Sequence, residues 1–383
     1  MLGIIGLSAI SLYQSRRLII SPPIFICCFF LLTLSTYTAF ISVFISGSIA
    51  TASVGYFINI SVCMVLGGLF YIYRKKRGNN VEEMIEIVLS YLILCTFING
   101  VIILCEYFIP PLRWFIESIL ASNNSNIDYL ERDNRFRGLA SGGAANLSLL
   151  YGISLVGIYN QYLTGKIKLV RFAVSFIVIL LSCLLIGRTG LVITIVGIVA
   201  LSFTSIYVKN ISSSKASLFF LAMAFILPVL PVFLSQYMTN YMLDYALMFL
   251  YGGVDGIKNE GTIDILASMT TYPDGFIAAL IGVGSDSGGF LPNTRSDSGY
   301  LKMFTALGYP ISILFYVSIC MLYVSHIRKL HSYKWLLFVF VGAWFFSEIK
   351  EPFIFKGYTA RFLWFVLSLL IVDGWCNRKS QRC

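Results

Sequence analysis

Eleven apolar runs, separated by polar connections, dominate the chain. They fall at about 2–14, 24–46, 52–73, 85–109, 144–163, 169–187, 190–208, 216–236, 300–324, 334–347 and 360–374. The stretch between Arg171 and Lys209 is the most informative, because Arg188 is the only charged residue in its 37 positions. As one helix it would be about 55 Å long at 1.5 Å per residue, whereas a bilayer core needs only about 30 Å. Two spanning helices, folded back at the tetrapeptide Gly187-Arg188-Thr189-Gly190, are therefore expected. The pattern predicts an all-α fold: a single polytopic membrane domain over 1–383 with about eleven transmembrane helices. Two larger connections, 110–143 and 237–299, interrupt it, and the second is expected to be partly helical.

Composition agrees with this. The chain is 58% hydrophobic and 12% charged, against roughly 25% charged for soluble domains. A cleavable signal peptide is not expected, since the first apolar run lacks a basic flank and a small-residue cleavage site. Nine cysteines lie mostly inside apolar runs without metal-ligand spacing, and read as small apolar core residues. The net charge of +10 reports topology here rather than nucleic-acid binding.

The charges separate by connection. Arg16/Arg17, 74–77, Lys166/Lys168/Arg171, Lys209/Lys215, 326–334 and 377–382 carry 17 of the 28 Lys and Arg against four acids. The positive-inside rule makes that set cytoplasmic. The C-terminus is then inside and, with eleven spans, the N-terminus outside. The other set contains the two long connections, the second with seven acids and two basic residues. It also holds seven arginines that the topology rule does not explain: Arg113, Arg132, Arg135, Arg137, Arg188, Arg295 and Arg361.

Arginine presents a planar fork of donors matched to phosphate oxygens. Several such groups at the outer leaflet, beside apolar helices, suit a lipid-linked phosphate or pyrophosphate. Four stretches offer them. RFRGLASGGAANLSLL (135–150) sets Arg135 and Arg137 ahead of a small-residue helix start, where free backbone N–H groups favour anions. The Gly187–Gly190 turn supplies Arg188. NTRSDSGYLKMFTALG (293–308) supplies Arg295, Asp297 and Lys302. SEIKEPFIFKGYTARF (347–362) supplies Glu348, Lys350, Glu351, Lys356 and Arg361. Plainer roles stand beside these. Arg135 and Arg137 also suit a solvated loop, and Arg188 can snorkel to the interface. Asp297 has the position of a helix N-cap. Glu348 and Glu351 can pair with nearby cations, and Tyr300 suits an interfacial belt. The two histidines, His326 and His331, fall in a connection assigned to the cytoplasm, out of reach of outer-face chemistry. Neither a P-loop nor a dinucleotide-binding glycine fingerprint is present, and no metal or cofactor is expected.

Through these residues the chain resembles the O-antigen polymerase and ligase superfamily of bacterial envelopes. The resemblance rests on RFRGLASGGAAN, the GRTG turn between paired helices, SDSGYLKMFTALGYP at the end of a large loop, and KEPFIFKGYTAR. It covers about 135–370. It implies a GT-C-like membrane glycosyltransferase of the bacterial inner membrane with its active site facing the periplasm. The substrate implied is an undecaprenyl-pyrophosphate-linked oligosaccharide, with a separate co-polymerase controlling chain length. Ligases of this superfamily carry a histidine near the end of the large loop, where this chain has Asp297; the departure favours a polymerase. Arg135, Arg137, Arg188, Arg295 and Arg361 are then expected to bind pyrophosphate. Asp297, Glu348 or Glu351 would accept a proton, and Asn146 and Tyr300 would contact sugar. A ligase is the nearest rival. A transporter or flippase is another, kept open by Pro228 and Pro231 in the eighth run and by Glu106 near the end of the fourth. A purely structural scaffold gives no reason for arginines at four separate turns.

Overall fold

The computed structural model describes residues 22–46, 51–121, 136–140, 144–207, 214–221, 275–284, 298–355 and 357–380. The described residues contain helices and no strand. In chain order these are α1 (Pro22–Ser46), α2 (Thr51–Lys75), α3 (Val81–Phe108), α4 (Pro110–Ala121), α5 (Ala144–Leu163) and α6 (Leu169–Ile186). They continue with α7 (Arg188–Tyr207), α8 (Phe276–Ile281), α9 (Gly299–Leu307), α10 (Tyr309–Ile327), α11 (Lys334–Ser347) and α12 (Tyr358–Ser380). Among the described residues six are long and apolar enough to cross a membrane: α1, α2, α3, α6, α10 and α12. The protein is therefore a multi-pass membrane protein. The expected run at 2–14, most of that at 216–236 (with Pro228 and Pro231), and most of both long connections lie outside the described residues.

Two expectations change in detail. The run expected at 300–324 is two helices, α9 and α10, because Gly308 takes φ +76° and its N–H closes α9 on the Phe304 carbonyl at 2.9 Å. Pro310 then opens α10, where a missing N–H costs nothing. The connection beginning at 110 opens with the helix α4.

The chain divides into two compact units, Met1–Val88 with Leu266–Cys383, and Leu89–Ile265. In the first, α2 packs against α1 and α12, and α10 against α9, α11 and α12. The α2–α12 approach is close because Gly67 has no side chain: a Cβ there would sit 2.7 Å from the Phe365 carbonyl oxygen, the small-residue contact that lets membrane helices pack. The basic stretches 74–77 and 326–334 meet the later turns of α12 at one end of this unit. Tyr71 near the end of α2 donates to Asp373 of α12 at 2.9 Å, and Glu82 accepts from the N–H groups of His331 and Ser332. Charge segregation along the chain thus becomes segregation in space within the unit.

In the second unit α5 is the centre, packed by both α6 and α7. It is buried on every side from Leu147 to Leu163, so its polar residues bond inward: Tyr159 pairs with Ser202 at 2.7 Å and Gln161 donates to Ser90 at 3.2 Å. Lys215 donates to the Tyr162 carbonyl at 3.1 Å. That places the Lys166–Lys215 basic connections at one end of α5 and the Gly187–Gly190 turn at the other.

Candidate functional site

The expected turn is present and is tighter than the sequence suggested: Gly187 alone separates α6 from α7, and Arg188 opens α7. Ser148, in the first turns of α5, clamps it. Its hydroxyl donates to the Gly187 carbonyl at 2.6 Å and accepts from the Gly190 N–H at 2.8 Å. Glycine is required here by contact. A Cβ on Gly190 would lie 2.0 Å from the Ser148 carbonyl oxygen, and one on Gly152 would lie 2.5 Å from the Gly190 carbonyl oxygen.

The RFRG stretch comes to the same end. Phe136 donates its N–H to the Leu185 carbonyl at 3.5 Å, two residues before Gly187. Gly138, at φ +59°, donates to Glu106 at 3.2 Å. Leu139 N–H donates to the Asn99 side-chain oxygen at 2.8 Å, while the Asn99 amide donates to the Arg137 carbonyl at 3.3 Å and the Tyr151 hydroxyl at 3.0 Å. A side chain on Gly138 would run into Asn99. Arg137 is thus held by its backbone, while its Nε is buried and has no hydrogen-bond partner; the same is true of the Asn146 side-chain oxygen, in the first turn of α5. A buried polar atom left unmatched costs about 1–3 kcal/mol, so both are suited to a ligand. The structure therefore brings together Arg137, Arg188 and Asn146 at the N-terminal ends of α5 and α7, where helix dipoles and free N–H groups favour anions. Arg135 lies outside the described residues.

The other candidates belong to the first unit. Arg295 and Asp297 lie outside the described residues, just ahead of α9. Glu348 is fully buried. Its carboxylate accepts from the Tyr316 hydroxyl at 3.0 Å and the Ile354 N–H at 2.7 Å, and its carbonyl accepts from the Gly299 N–H at 2.9 Å. Gly299 must be bare, because a Cβ would lie 2.3 Å from Glu348 Oε1. Glu348 therefore ties the start of α9 to the 348–355 turn. Trp344 and Trp364 bind the same turn through the Phe353 and Ile354 carbonyls, at 2.6 and 2.8 Å. Tyr300 donates to the Phe345 carbonyl at 2.8 Å. Glu351 is half-buried in the turn, and Arg361 is exposed in the first turn of α12. A narrow apolar cleft beside this turn is lined by Thr38, Phe57, Lys302, Met303, Pro352 and Phe355, among others.

Burial pushes the Glu348 carboxyl up to about 8, against the opposing hydrogen bonds from Ile354, Tyr316 and Phe353. An acid whose folded pKa is raised binds protons more tightly when folded. The stability it contributes is complete below the unfolded value near 4.5 and is lost as pH rises through about 8. Thermal unfolding in detergent should show a midpoint that declines from pH 5 to pH 9. In Glu348→Gln that decline should flatten; an unchanged slope would assign it to other groups.

Asn99, Glu106 and Ser148 did not emerge from the sequence as partners of this site. Asn99 and Glu106 are seven apart in the largely apolar second half of α3, and so share a face. Polar residues inside a span are costly and usually matched, a signal that was available. Among the described residues no group of three His, Cys, Asp or Glu side chains could hold a metal ion. Comparison of the chain with protein-family models, with curated proteins and with solved structures finds no match.

Proposed function

We propose that the protein is an O-antigen polymerase, a metal-independent glycosyltransferase that joins undecaprenyl-pyrophosphate-linked repeat units at the periplasmic face of the inner membrane. The observation that carries this reading is the end of the second unit where Arg137, Arg188 and Asn146 meet the N-termini of α5 and α7. The donor is the growing chain on its lipid pyrophosphate; the acceptor is one lipid-linked repeat unit. A hydroxyl oxygen of the acceptor attacks the donor's anomeric carbon. The bond from that carbon to pyrophosphate breaks, and the electron pair leaves with the lipid pyrophosphate. Charge grows on the leaving group, so fixed guanidinium groups stabilise the transition state more than the ground state.

The hydroxyl proton passes to a carboxylate. Arg135 would add to the binding of phosphate, and a separate co-polymerase would set chain length. The test is incubation of purified protein with lipid-linked repeat units. A ladder of polymer should form without nucleotide or added metal. Movement of the repeat unit across a vesicle bilayer with no ladder would favour a flippase, a reading that draws on the break at Gly308 and on buried Glu106. A null strain that attaches single repeats to its lipopolysaccharide separates polymerase from ligase.

A further inference from the structure

The basic end of the first unit carries more cations than its acids can match. Arg74, Lys75, Lys76 and Arg77 close α2, and Arg328, Lys329 and Lys334 lie in the connection that Glu82 ties to α3. The four carboxylates there are engaged by uncharged groups, Asp373 accepting from Tyr71 and from the Asn377 side chain at 2.9 Å each. Glu82 holds backbone N–H groups. Glu83 accepts from the Asn79 and Asn80 side chains at 2.9 and 3.3 Å, and Glu86 accepts from the Tyr333 hydroxyl. The ion pair Arg113–Glu117, at 2.8 Å, belongs to the other unit. None of the seven cations forms an ion pair among the described residues, and they outnumber the four carboxylates at this end.

Their setting favours phosphate at a membrane surface. Arg74 and Arg77 lie over Phe70 and Tyr73, at 5.5 and 4.5 Å from the ring centroids, which fixes the guanidinium planes and leaves donor edges open. Arg74 Nε is buried without a hydrogen-bond partner. The helices that end here carry exposed apolar side chains along their spans, Ile58 and Val62 on α2, Val317 and Met321 on α10. The cations thus stand where an apolar surface gives way to a polar one, at headgroup level. We propose that this end of the unit is a binding site for the phosphates of anionic phospholipids, best matched by a diphosphate headgroup of the cardiolipin kind.

Native mass spectrometry of the full chain in neutral detergent tests this, with cardiolipin, phosphatidylglycerol or phosphatidylcholine of matched acyl chains. Cardiolipin should be retained at least ~10-fold more than phosphatidylcholine, since each nearby cation is worth about fivefold in affinity. Lys76→Gln and Arg328→Gln, both at exposed positions, should each weaken retention by about fivefold, while the charge-conserving Arg77→Lys keeps most of it. Equal retention of phosphatidylcholine, or wild-type retention by both glutamine variants, overturns the proposal. Displacement of cardiolipin by an equal concentration of inorganic pyrophosphate also overturns it, by assigning the site to a soluble anion.

Discussion

Cells in which Arg188 is replaced by alanine are expected to make no laddered polysaccharide, with the protein still present in the membrane. Arg188 is the first residue of α7, where alanine is the best helix former and removes no intrahelical bond. The fold around it is carried by other groups, namely Ser148 on Gly187 and Gly190, and Phe136 on Leu185. The substitution should therefore act on chemistry rather than on structure. Removing one fixed donor from developing negative charge typically costs about 10²–10³ in rate, enough to eliminate long polymer. Arg137→Ala should behave alike, because the Arg137 backbone rather than its side chain holds the turn. Arg188→Lys keeps the charge but not the bidentate fork, so short ladders are expected. Wild-type ladders from the alanine variant, with a membrane blot showing equal protein, would remove Arg188 from the mechanism.

The largest structural effect is expected from Gly190→Ala. The added methyl would meet the Ser148 carbonyl oxygen at 2.0 Å and the Cys183 Sγ at 2.7 Å. The nearest of these is backbone, so no side-chain rotation relieves the clash; α5 and α7 must separate. Overpacking of this kind costs about 1–3 kcal/mol or more, and the separation also stretches the two Ser148 hydrogen bonds. A fall of about 1–4 °C in the unfolding midpoint is expected for a chain of this length, together with loss of polymer, since the same contact positions Arg188. Ser148→Ala provides the comparison: it deletes the hydroxyl that serves Gly187 and Gly190 without forcing the helices apart, and should cost about 1–3 kcal/mol. An unfolding midpoint for Gly190→Ala equal to that of wild type would mean the helices do not approach so closely.

How far the chain could be read in advance varied with the interaction concerned. The turn at 187–190 was legible because a 37-residue apolar run exceeds a bilayer, and no packing detail enters that argument. The break at Gly308 was not, because GYP inside an apolar run also fits a single kinked helix. What ends α9 there is the left-handed Gly308 together with its docking: a Cβ on Gly308 would lie 2.3 Å from the Leu280 carbonyl oxygen. Glu348 shows the same division. Its stretch stood out as charged, but its burial and its hold on Gly299 depend on residues 32 to 49 positions distant.

By itself the sequence determined that this is an all-helical, multi-pass membrane protein and where its charges lie along the chain. Hydrophobic length and charge are additive along a chain and need no partner to be read. Only the tertiary structure decided which polar groups meet. It set Arg137, Asn146 and Arg188 at the ends of α5 and α7, Ser148 between two glycines, and Glu348 under the start of α9. Those contacts depend on helix approach to within a methyl group, and close packing is a property of pairs of surfaces rather than of either segment alone.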